Sequence, residues 1–119
     1  MGRDFSIGCS DSTSKGVSSI MFSMVKLVSQ IDDVDKIPHK DKYISIEQLA
    51  RIIRTLKNDL VAVKYNSDLK AKFVEGYRFY ADDTFDTVRE CCESACDLFT
   101  NALVNAILVE EDEVYWDYS

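Results

Sequence analysis

Proline is almost missing from this chain, with one in 119 residues beside only four glycines. Both residue types interrupt helices, so their scarcity favours a few long helices over many short strands. Histidine is just as scarce. His39, the only one, lies in a charged stretch beside Pro38 with no nucleophile near it in sequence, so no convergent acid–base set is visible and an enzyme is not expected. No apolar run approaches the roughly 20 residues of a membrane-spanning helix, and residues 1–16 are too polar for a secretory signal. No run of Lys or Arg offsets a formal charge of −7, which repels a phosphate backbone and argues against nucleic acid as a partner. The cysteines Cys9, Cys91, Cys92 and Cys96 lack paired CxxC spacing. They read as free thiols of a protein in a reducing compartment.

Three weak motifs are set aside. MGRDFS fits the short acylation pattern at Gly2, but Arg3 follows directly and the pattern is too brief to carry an expectation. Asp32, Asp33 and Asp35 suggest a calcium loop, yet a central Gly is absent and Tyr43 stands where the bidentate Glu belongs. Cys92 and Cys96 are one helical turn apart, but no fourth ligand is near, so small apolar packing is the better reading and no metal or cofactor is expected.

What the chain does have is helical periodicity. Residues 1–14 are rich in Ser and Gly and read as a flexible N-terminus, followed by one helical domain over residues 15–119. Val17, Ile20, Met21, Met24, Leu27, Val28 and Ile31 recur at three- and four-residue steps, the stripe of a first helix. Ser45 and Gln48 form a capping box that opens a second helix, with Leu49, Ile53, Leu56, Leu60 and Val63 on one side. Ser67 caps a short third piece bearing Leu69 and Phe73, with Gly76 as its stop. From Asp83 or Thr84 a last helix runs unbroken to about Val109, apolar on more than one side in its C-terminal half. That is the pattern of a helix surrounded by others, so the expected fold is an all-α bundle around this axis. The acidic, aromatic end EEDEVYWDYS is expected to pack only through Val114, Tyr115 and Trp116.

The second helix also carries a motif. Leu49, Ile53, Leu56 and Leu60 occupy four apolar positions, Lys57-Asn58-Asp59 lies inside the ladder, and Tyr65 and Asp68-Leu69 follow. This arrangement resembles the death-motif helix of the Bcl-2 family of apoptosis regulators. FDTV at Phe85–Val88 is similar to the segment leading into that family's first homology motif, and EDEVYWDY near the end is similar to its second. The family's Asn-Trp-Gly-Arg is absent, with Glu75-Gly76-Tyr77-Arg78 in its place.

The resemblance implies a Bcl-2-like helical bundle in which Leu49, Ile53, Leu56, Leu60, Phe73, Tyr77, Arg78, Phe85, Val88 and Arg89 line a groove. Its ligand would be the amphipathic BH3-type helix of a pro-apoptotic protein of the Bim, Bak or Bax class. Arg78 or Arg89 would pair with the ligand's Asp. It further implies a small viral inhibitor of host cell death, cytosolic and at mitochondria only through partners. Two other readings stay open: a helical adaptor or homodimer without a role in apoptosis, and a factor whose acidic tail meets a basic partner.

Overall fold

The computed structural model describes residues 4–30, 37–38 and 41–119. In chain order these form β1 (Phe5–Ile7), β2 (Ser10–Ser12), α1 (Lys15–Ser29), β3 (Tyr43–Ser45), α2 (Ile46–Tyr65), a 3-10 turn (Ser67–Leu69), α3 (Lys70–Tyr77), α4 (Phe85–Leu108) and β4 (Glu113–Tyr118).

The all-α expectation is wrong. The four strands make one antiparallel sheet in the order β2-β1-β4-β3, and the fold is mixed α/β. Three of the strands are only three residues long, too short for a period of two to stand out in the sequence. They exist because the two ends of the chain meet: Phe5 pairs with Tyr118 and Ile7 with Trp116, while Ile44 pairs with Val114. Residues 4–14 are correspondingly not loose, since Phe5 and Ile7 are wholly buried. The C-terminal stretch buries Val114 and Trp116 as expected, but does more than pack: β4 is an inner strand bonded to β1 and β3.

One side of the sheet is core. Phe5, Ile7, Ile44, Val114 and Trp116 alternate with outward residues and are buried together with the helices in a single cluster. Gly8 opens the β1–β2 turn with φ +55, where a Cβ would lie 3.0 Å from a methyl of Val114. A positive φ at the first turn residue is what glycine tolerates. Ser18 of α1 ties this hairpin down: its hydroxyl accepts from the Phe5 N–H at 3.3 Å and donates to the Ser12 carbonyl at 3.0 Å.

The helices lie where the periodicity placed them. Ser14 and Thr84 cap α1 and α4, and the Ser45–Gln48 box opens α2 with both of its hydrogen bonds formed. Gly76 does not stop α3, which runs on to Tyr77 before Arg78 turns extended. Across its 24 residues, about 36 Å long, α4 is the shared partner of α1, α2 and α3. Its inward residues include Ala95, Ala102 and Ala106. Gly16 of α1 passes Cys91 so closely that a Cβ would come 3.1 Å from the thiol sulphur.

Among the described residues one ion pair braces the sheet. Lys42 donates to Asp117 at 2.8 Å, with side chains 15% and 27% exposed. This hydrogen bond, opposed by partial burial, holds the Asp117 carboxyl below the usual carboxylate range. A group depressed in the folded state stabilises fully above its unfolded pKa of about 4 and loses that contribution as pH falls through its folded value. Lys42→Met should therefore cost about 1 kcal/mol at neutral pH. In urea titrations across pH, the gap between variant and parent should close in acid. A gap that persists would mean the loss is packing, not charge.

Candidate functional site

α2 follows the amphipathic pattern of its sequence, but its leucine ladder faces inward. Leu49 and Leu56 are 0% and 1% exposed and Ile53 is 8% exposed, so these three form core and not a groove wall. Val88 and Phe73 are buried as well, Leu60, Tyr77, Phe85 and Arg89 are half-buried, and Arg78 is exposed. The ten expected groove residues are not brought together. Phe73 and Tyr77 line one depression. Leu60, Phe85 and Arg89 line a second with Lys64, Lys70 and Glu93. Arg78 meets Phe85 only in a third, beside Lys70 and Glu75.

Neither expected groove cation reaches the first depression. Arg89 is held within its own helix by Asp86 and Glu93, both at 3.5 Å, and lies 5.8 Å from the centre of the Phe85 ring. The Phe85 ring also carries Lys70 at 4.7 Å. The Lys70 and Arg89 charges over the Phe85 ring therefore belong to the α2–α3–α4 side of the molecule.

The first depression is mostly apolar and forms a trough of about 570 Å³ between the C-terminal half of α1, the outer part of α2 and α3. Met24, Val63 and Phe73 make its floor, each nearly buried. Leu27 stands at its edge 68% exposed, which a residue on a closed core stripe would not be. α3 is only eight residues long, while α1 and α2 run past it.

Asp59 has a definite task here. Tyr77 of α3 donates its hydroxyl hydrogen bond to the Asp59 carboxylate. Burial first, then the hydrogen bond and charge of Asp59, push the Tyr77 hydroxyl far above its ordinary value, so it remains a donor. A polar residue inside the apolar ladder of α2 thus anchors α3 and shapes the trough wall. Phe73 completes that wall, 5.1 Å from the Tyr77 ring and 5.8 Å from Phe85. Among the described lining residues Lys72 is the one cation. Leu27 and Lys72 were not singled out by sequence as site residues. Leu27 belongs to a stripe that reads as core, and nothing local marks where a neighbouring helix ends.

Burial pushes the Cys92 thiol up to about 12 and raises Cys96 as well, leaving little thiolate for chemistry. All four cysteines are free. No group of three His, Cys, Asp or Glu among the described residues could hold a metal ion, and no helix among them is long and apolar enough to cross a membrane. His39, Gly2 and the Asp32, Asp33 and Asp35 run lie outside the described residues. Comparison with protein-family models, curated proteins and solved structures finds no match for this chain.

Proposed function

We propose that this protein is an interaction module that holds an amphipathic helix of another protein in the trough between α1, α2 and α3. The observation that carries this reading is the trough of about 570 Å³ itself, floored by Met24, Val63 and Phe73, with Leu27 68% exposed at its edge. An apolar helical face laid there would cover it, in the helix-in-groove mode. Three ligand anchors at about 1.5–3 kcal/mol each supply about 4.5–9 kcal/mol before association costs, so micromolar affinity needs the Lys72 pair and the flanking contacts as well.

Lys72 supplies the selectivity, pairing with a carboxylate on the ligand and fixing its register. Pro-apoptotic BH3-type helices combine apolar anchors with an aspartate, so they are the first ligand class to test, and capture of such helices would inhibit cell death in the cytosol. Lys72 takes the role first assigned to Arg78 or Arg89. The Bcl-2-like bundle itself is not part of this proposal, because the sheet replaces it.

Calorimetric titration with a panel of such peptides tests the reading. Micromolar binding is expected, weakened tenfold or more by Leu27→Glu. Lys72→Glu should weaken only peptides that carry the acid. Absence of heat from every peptide at high micromolar concentration would end the proposal.

A further inference from the structure

The outward face of α4 changes character along its length. In the first half it carries Asp86, Glu90, Glu93 and Asp97, spaced at three- and four-residue steps. Beyond Asp97 no charged residue occurs until Glu110; the run is LFTNALVNAILV, residues 98–109. Val104, Ile107, Leu108 and Val109 within it are 50%, 58%, 76% and 52% exposed. Single exposed apolar residues are ordinary, but four at one helix end form a patch of the kind that marks an interaction surface. Glu110, Glu111, Asp112 and Glu113 follow at once, all exposed and without an ion pair among the described residues.

We infer that this end of α4 docks a cationic amphipathic helix of another protein, apolar along one stripe and flanked by Lys or Arg. Charge complementarity selects this occupant. Asp97 precedes the apolar strip on α4 and Glu110 and Glu111 follow it directly, so basic flanks on the incoming helix would meet carboxylates at both ends. A second copy of the chain would instead set acid against acid on a background of −7 per copy. Nucleic acid and anionic lipid are repelled for the same reason. The strip shares no residue with the trough, and its ligand has the opposite charge preference.

Glu110 makes the test decisive. It sits at φ +58 just past the α4 C-cap. Its N–H donates to the Ile107 carbonyl at 3.2 Å and the Glu111 N–H to Ala106 at 2.9 Å, the closing motif in which glycine is the unstrained residue. Glu110→Gly should therefore raise Tm by about 4 °C while removing one carboxylate from the frame, so a loss of binding there cannot be blamed on unfolding.

The experiment uses the full chain and two fluorescein-labelled 18-residue helical peptides, one with Leu on one face and Lys elsewhere, the other with Glu in place of Lys. Anisotropy should report binding of the Lys peptide that weakens as salt is raised. It should fall at least tenfold in Val104→Ser/Leu108→Ser, about threefold in Glu110→Gly, and stay unchanged in Leu27→Glu, which lies in the trough. The Glu peptide should not bind. Four results would each overturn the inference: no binding of the Lys peptide at high micromolar concentration, equal binding by the serine variant, equal binding of the Glu peptide, or a parent dimer in sedimentation that the serine variant dissolves.

Discussion

A chain truncated after Asp112 is expected to lose its cooperative unfolding transition altogether. β4 is hydrogen-bonded on both sides, to β1 and to β3, so its removal leaves both neighbours as three-residue fragments with open edges. It also takes away Val114 and Trp116, 3% and 1% exposed. Trp116 stacks on Phe5 at 6.1 Å and touches Phe22 at the same distance. Losing one buried Trp side chain alone costs about 3–5 kcal/mol, against a typical total stability of about 5–15 kcal/mol. Far-UV circular dichroism against urea checks this. A truncated chain that still unfolds in one sharp step would show that β4 is not needed to hold the fold. For the same reason, deleting the acidic end cannot test its charges, and point substitutions such as Glu110→Gly must do so.

The second large effect separates core from groove on α2. Leu49→Ala and Leu56→Ala are each expected to cost about 2–5 kcal/mol, because both side chains are sealed inside and leave a cavity. The folded fraction of either variant should still bind trough ligands as the parent does. Leu27→Ala should behave in the opposite way, with stability within about 0.5 kcal/mol of the parent and peptide affinity clearly reduced. Denaturation curves paired with titrations on the same samples decide the matter. If Leu56→Ala kept its stability and lost binding, the leucine ladder would be a groove wall after all.

The death-motif resemblance shows how far one helix can be read alone. The spacing of Leu49, Ile53 and Leu56 was legible, and it correctly marks one face of α2, but a stripe that faces a core and a stripe that faces a ligand have the same spacing. Only the position of α4 against that face decides between them. Asp59 was legible as an oddity. Its partner was not, because Tyr77 lies on another helix and no local pattern brings the two together.

The sequence by itself determined what local forces control: α1, α2 and α4 with their serine and threonine caps, the acidic balance, and the uncharged run at the end of α4. Helical hydrogen bonds close within four residues, so periodicity and capping suffice to place them. Tertiary structure alone decided the sheet and the trough. A strand of three residues is held by a partner that the rest of the chain must deliver, here from the opposite terminus, and a trough is a space between helices that no single one of them encodes.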